Sequence, residues 1–291
     1  MTATQLSTFP TTAEPALPGK RLLTAAQKQE FDNNGFFIVR NALNSAEVEH
    51  LLEVTDRADR EVANDVKGAR KEGAPLELRN AVTFDQAIVD MITHNIGLSL
   101  ILDLMGPSIQ LTTSHLFIRP PSPANVGSAF KQIDWHRDGP SPRPMPVNGI
   151  EPWLYTKIGY FLTDTTIPNA GALRVVPGSH RYGGPAPSSE ANGSDPYGAI
   201  EAQVRPGDAI IFENRLLHAV GPNFSQVARK NLYLGYSWRY LRAIDYVTQS
   251  QELIARSNPF ERQLLGDASE ALHYYLPGKA GLALSEWRPI Q

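Results

Sequence analysis

Apolar positions along this chain follow two regimes. Up to about residue 105 they recur at helical spacing, and from Ser108 to about residue 240 they fall into short runs and alternations cut by Gly and Pro. The first regime predicts a helix opening at Thr24, with Gln27 three residues on as a capping-box partner, and closing at Asn33-Asn34-Gly35. Phe36–Val39 then reads as a short strand. A second helix opens at Asn44 with Glu47 at its third position, carries Val48, Leu51 and Leu52 on one face, and runs to about Ala58. Glu61–Gly73 is charged and reads as a solvated face or loop. Helical spacing returns over Gln86–Met105, with Ile88, Met91, Ile92 and Ile96 on one stripe.

The second regime starts with Ser108–Arg119, ended by Pro120-Pro121. Further strands are expected at Ala129–Trp135, Trp153–Leu162, Leu173–Val176, Ile200–Val204, Ala209–Glu213 and Asn231–Trp238, with Gly- and Pro-containing turns between them. Many short strands at this spacing indicate a sandwich or barrel. A helix is expected again at Thr248–Leu265, and irregular chain from Pro277. The fold class is therefore mainly β with flanking helices. Residues 1–22, interrupted by Pro10, Pro15 and Pro18, read as a mobile tail, and 23–291 as one domain with a β-core over about 108–240.

Composition narrows the function. With 42% hydrophobic and 20% charged residues, an ordinary core can form. A net charge of −3 gives no reason to expect a nucleic-acid surface. The chain holds no cysteine, which excludes disulfides, thiolate metal sites and a thiol nucleophile, so any metal must be held by His, Asp or Glu. No secretory leader and no membrane-length apolar run is read here. The expectation is a cytoplasmic protein acting on a small molecule, without nucleic-acid or membrane partners and with its oligomeric state open.

Of seven histidines, most read as packing or surface residues: His50 and His94 on helices, and His273 between Leu272 and Tyr274. His136 stands apart. Two residues before Asp138, it would share a strand face with that carboxylate and offer a divalent metal two adjacent ligands. The third ligand must come from elsewhere. His218 lies in the apolar run Leu216–Val220, where it needs a polar partner or a metal. Eleven residues on, Arg229 opens the last strand, and a hairpin through Gly221–Gln226 would return it towards His218. Its guanidinium is a bidentate fork for a carboxylate. Each feature alone also has an ordinary structural explanation: Asp138 capping the Gly139-Pro140 turn, His218 in the core, Arg229 as surface charge.

Taken together these motifs resemble the phytanoyl-CoA dioxygenase-like family of non-haem Fe(II), 2-oxoglutarate-dependent oxygenases. The resemblance rests on His136-x-Asp138, on Asn169-Ala170-Gly171 with Pro177-Gly178-Ser179-His180-Arg181, on Pro206-Gly207-Asp208, on His218 with Arg229, and on Asn34-Gly35-Phe36-Phe37-Ile38-Val39 after the first helix. It spans about residues 25–245. It implies a double-stranded β-helix (jelly-roll, cupin-like) core, with His136, Asp138 and His218 as Fe(II) ligands and His180 as a structural residue. It further implies 2-oxoglutarate as cosubstrate with Arg229 on its far carboxylate, O2 as oxidant, and succinate and CO2 as products. Halogenating members generally lack the carboxylate that Asp138 supplies, so hydroxylation or a related oxidation is favoured here.

Tyr160 and Thr156, on one face of the Trp153–Leu162 strand, are candidates for further cosubstrate contacts. Arg79 or Asn80 would reach in from the helical side. Trp153, Tyr155, Trp238 and Tyr240 are candidate pocket residues, and Gly139–Pro152 and Tyr182–Ala199 candidate lids. Without a phosphate-cradling loop or basic cluster, a small metabolite, as in natural-product biosynthesis, fits better than a CoA thioester. Two other readings stay open on the residues: a cupin-like metal enzyme without 2-oxoglutarate, such as an isomerase, and a non-catalytic jelly-roll binding module.

Overall fold

The structure is a computed structural model. It describes residues 22–122, 133–140, 149, 151–182, 195–268, 270–276, 278 and 281–289. In chain order the elements are α1 (Ala25–Asn34), β1 (Phe36–Val39), α2 (Ser45–Glu61), β2 (Asn64–Asp65), β3 (Gly68–Ala69), β4 (Leu76–Arg79), α3 (Gln86–Ile92), α4 (Asn95–Met105), β5 (Ile109–Arg119) and β6 (Tyr155–Phe161). They continue with β7 (Leu173–Val175), β8 (Ile200–Ala202), β9 (Ala209–Glu213), β10 (His218–Val220), β11 (Arg229–Trp238), α5 (Gln251–Arg256) and α6 (Pro259–Leu264).

Six strands form one antiparallel sheet in the order β1-β9-β6-β11-β5-β4, and three form a second, β10-β7-β8. The helices cover the outer face of the large sheet, where Phe37, Ile158, Tyr160, Ile211, Leu232 and Leu234 meet Ile88, Ile92, Leu98 and Ile101. The inner face packs towards the small sheet through Phe161, Phe212 and Tyr233 against Leu173 and Val175. Strand alternation alone sorts these residues: Ile158 and Tyr160 lie outward, Phe161 inward. Two facing antiparallel sheets with helices outside are the jelly-roll core that the resemblance implied.

The caps form as expected. Thr24 with Gln27 and Asn44 with Glu47 complete reciprocal capping boxes, each worth about 1 kcal/mol. Gly35 ends α1 at φ 82°, and a Cβ there would lie 2.7 Å from His180 Nδ1, so both backbone and space require glycine. His180 is accordingly structural: buried, with Nε2 3.1 Å from the Asp32 carbonyl oxygen.

Five expectations change. α2 runs on to Glu61. The charged stretch after it holds the β2–β3 hairpin, and β4 joins the large sheet beside β5. Gln86–Met105 is by length and composition apolar enough to cross a membrane, contrary to the sequence reading; it folds as two helices broken at Thr93-His94, with most of its surface buried. Thr248–Leu265 also divides, because Pro259 opens α6 behind an Asn258–Glu261 capping box. Of the expected strand Ala129–Trp135, residues 129–132 lie outside the described residues, and 133–135 are not strand.

Candidate metal centre

β10 and the segment around His136 meet as an isolated antiparallel bridge. His136 N donates to the His218 carbonyl and His218 N to that of His136, each at 2.9 Å. This pairing sets the two imidazoles side by side, with ring centroids 4.4 Å apart. Asp138 lies on the same side as His136, its Oδ1 3.9 Å from His136 Nε2 and its Oδ2 3.8 Å from His218 Nε2. Arg137, between them, turns the other way. Its guanidinium donates to the carbonyls of Arg215, Ser179 and Tyr182, which latches the segment to the turn before β10.

One ligand atom from each of His136, Asp138 and His218 lies within 4.8 Å of the others. Each imidazole Nδ1 is 2.8 Å from a carbonyl oxygen, Asp134 for His136 and Leu216 for His218. A carbonyl only accepts, so in the neutral ring Nδ1 carries the proton and Nε2 turns a lone pair inward. Burial pushes the His218 pKa down to about 4, leaving it unprotonated at neutral pH. For Asp138 burial acts upwards, but Lys157, and after it His218 and His136, hold the carboxyl well below its usual range. Lys157 Nζ stands 2.7 Å from Asp138 Oδ2. Two imidazoles that turn Nε2 inward and one carboxylate on one side of a site are the donor set of a 2-His-1-carboxylate metal centre, and the residues present fit Fe(II).

Arg229 opens β11 on the inner face, almost fully buried. It does not return by a hairpin in one sheet as expected, since β10 and β11 belong to different sheets. The triad and Arg229 are joined instead by aromatic contacts. His218 packs on Phe212, Phe212 on Tyr233, and Tyr233 Oη accepts from Arg229 Nη2 at 3.0 Å. The guanidinium carbon lies 5.2 Å from the Phe161 ring centre. Tyr233 occupies this place because residue 159 is glycine; a Cβ there would stand 2.2 Å from its ring.

Other expected site residues lie elsewhere. Thr156 and Tyr160 do share a face of β6, but it is the outer one. Thr156 Oγ1 accepts from Trp153 Nε1 at 3.1 Å, and the Tyr160 phenol lies against Gly97 of α4, where an added Cβ would come within 1.9 Å of it. Neither reaches the triad, because β6 turns Lys157, Gly159 and Phe161 inward. Trp153 and Trp238 pack together on the helical side, and Tyr240 stacks on Tyr275. Only Tyr155, beneath Lys157, adjoins the centre. Arg79 pairs with Glu77 near the surface, and Asn80 bonds to Gln249 and Asp245. Most of the two candidate lids, 141–148 with 150 and 183–194, lies outside the described residues. A cleft of about 670 Å³ lined by Asn44, Glu47 and His94 contains none of the triad.

Sequence reasoning passed over Lys157 and Arg137. For Lys157 a signal was available: it is the one charged side chain of β6, and a charge inside an otherwise uncharged strand marks the face that meets something other than core.

A family model described as phytanoyl-CoA dioxygenase (PhyH) matches residues 31–231. An ectoine dioxygenase of Nocardia farcinica is 23% identical over 80% of this chain and 87% of its own length. The iron/alpha-ketoglutarate-dependent dioxygenase ausU of Aspergillus calidoustus is 25% identical, covering 81% and 78%. Among solved structures, HygX from Streptomyces hygroscopicus with nickel and 2-oxoglutarate bound superposes with a TM-score of 0.61 at 17% identity, over 81% of this chain and 94% of HygX. That likeness bears on the fold.

Proposed function

The chain belongs to the phytanoyl-CoA dioxygenase family and is an Fe(II)- and 2-oxoglutarate-dependent dioxygenase, and we propose that His136, Asp138 and His218 hold its iron while Arg229 holds the far carboxylate of 2-oxoglutarate. The observation that carries this assignment is the convergence of three ligand atoms within 4.8 Å, with both imidazole Nδ1 atoms committed to carbonyls. Bound there, iron with 2-oxoglutarate and O2 supplies the oxidising chemistry, and succinate and CO2 leave as products.

The chain's own residues position and screen. Arg137 fixes the segment carrying two ligands. Lys157 holds one Asp138 oxygen and leaves the other to the metal. Phe161, Phe212 and Tyr233 exclude water between the triad and Arg229, which strengthens the charge pairing there. The substrate is a small organic molecule, and hydroxylation is the oxidation favoured, with natural-product biosynthesis as its setting.

The assignment is tested by succinate release from 2-oxoglutarate in the presence of Fe(II). Asp138→Ala abolishes it. Arg229→Ala weakens 2-oxoglutarate binding by about ten- to a hundredfold, from roughly 1.5–3 kcal/mol of charge-assisted bonding. Full turnover in Asp138→Ala, or unchanged 2-oxoglutarate affinity in Arg229→Ala, removes the corresponding assignment.

A further inference from the structure

Arg239 directly follows β11, and only 2% of its surface is exposed. Its guanidinium makes one bond to a described residue, Nη1 donating to the Gly281 carbonyl, and its enclosed Nε has no partner among the described residues. The guanidinium carbon lies 5.7 Å from the Tyr274 ring centre, and that ring is fixed by its own hydroxyl, which donates to the Gly266 carbonyl at 2.7 Å. No described carboxylate pairs with Arg239. Burial pulls its pKa below the ordinary value, and only the Tyr274 phenol acts the other way. Asp267 lines the same space but is taken by Arg262 at 2.7 Å. A buried guanidinium without a counter-charge is unfavourable, and one aromatic ring replaces only part of what an anion would give.

Arg239 lines a cleft of about 600 Å³, formed by the chain after β11 and the chain after α6, a size that suits a small molecule. Arg242 adds a second, exposed guanidinium to its wall. Tyr240 and Tyr275, 54% and 69% exposed, stack there with their planes 16° apart and their centroids 6.3 Å apart. None of His136, Asp138, His218 and Arg229 borders the cleft. We propose that it is a second binding site, separate from the metal centre, for a small organic carboxylate with a flat apolar body. The carboxylate meets Arg239, whose unused N–H groups offer it the guanidinium fork, and the body lies against Tyr240 and Tyr275. Such a ligand supplies the missing counter-charge and covers exposed aromatic surface at once. With Asp267 held by Arg262, the remaining charge on the wall is positive, which selects against cations and gives a neutral amide no advantage.

The test is a calorimetric titration with 2-naphthoate and with its neutral isostere 2-naphthamide. Each is run on the metal-free protein and on the protein loaded anaerobically with Fe(II) and 2-oxoglutarate. Wild type is expected to bind the acid about ten- to a hundredfold more tightly than the amide, the range of a charge-assisted pair, and equally in both states of the metal centre. Arg239→Met is expected to abolish the acid's advantage while changing amide affinity by less than about twofold. Tyr240→Ala, at an exposed position, is expected to weaken both probes by a similar factor of about two to ten. No binding of the acid, equal wild-type affinity for acid and amide, or an acid preference that survives Arg239→Met overturns the proposal. So does binding that is lost when Fe(II) and 2-oxoglutarate are loaded, which would place the acid in the metal centre instead. Should Arg239→Met not fold, wild type and Tyr240→Ala decide, and unchanged affinity for both probes in Tyr240→Ala overturns the proposal as well.

Discussion

Lys157 and Asp138 form an ion pair of 2.7 Å inside the candidate centre, each side chain only 13% exposed. The ammonium is the closest cationic group to this carboxylate, which two imidazoles flank at 3.8 and 3.9 Å. Removing one member of a buried pair costs about 3 kcal/mol, mostly from the charge left behind. Lys157→Met should therefore destabilise the metal-free protein by about that amount, and a divalent metal should restore much of it by taking over as counter-charge. Chemical denaturation with a chelator and with Mn(II) checks this. An equal loss in both conditions would mean that Lys157 acts through packing alone.

Gly159 leaves room for the Tyr233 ring, whose hydroxyl accepts from Arg229. Gly159→Ala should cost about 1–3 kcal/mol through overpacking and should shift Tyr233 off its partner. Affinity for 2-oxoglutarate should fall while metal affinity holds, as read by separate titrations of each.

Tyr160→Phe provides the opposite case. The phenol is buried on the helical side of β6 and has no hydrogen-bond partner among the described residues. Its removal should leave 2-oxoglutarate affinity unchanged and stability equal or slightly higher. Weakened cosubstrate binding would return Tyr160 to the site.

Asp208 ties the start of β9 to the end of β1, accepting from Asn41 N at 2.9 Å, Arg205 N at 3.0 Å and Arg40 at 2.7 Å. Burial acts to raise its pKa, but the bonds from Arg205 and Asn41 and then Arg40 outweigh it and hold the carboxyl below its ordinary value. The folded state thus binds this proton less readily than the unfolded chain. The stabilisation is present above about pH 4 and is lost as pH falls through the folded value. Asp208→Asn should be less stable than wild type at pH 7, and the gap should narrow below about pH 4. A constant gap across that range would contradict the linkage.

The features legible in the sequence are those with short-range causes. Capping boxes at Thr24 and Asn44 need only residues three apart. His136 and Asp138, two apart, stay on one side even though the segment forms a single bridge instead of a full strand. What failed was the choice between faces. Thr156 and Tyr160 share a face by period two, but the same period gives Lys157 and Phe161 the other one, and only the packing of α3 and α4 on the large sheet decides which is outer. The placement of β10 and β11 in different sheets was also beyond local pattern, since a turn at Gly221–Gln226 is compatible with a hairpin or with a crossing between sheets.

The metal centre is tested most directly by anaerobic visible absorption of the protein with Fe(II) and 2-oxoglutarate. Wild type should develop a weak charge-transfer band that needs both components, and Asp138→Ala should not, although its fold is retained. A band of equal strength in Asp138→Ala, or none in wild type under saturating Fe(II) and 2-oxoglutarate, would contradict the assignment of His136, Asp138 and His218 as the ligands that place iron against the cosubstrate.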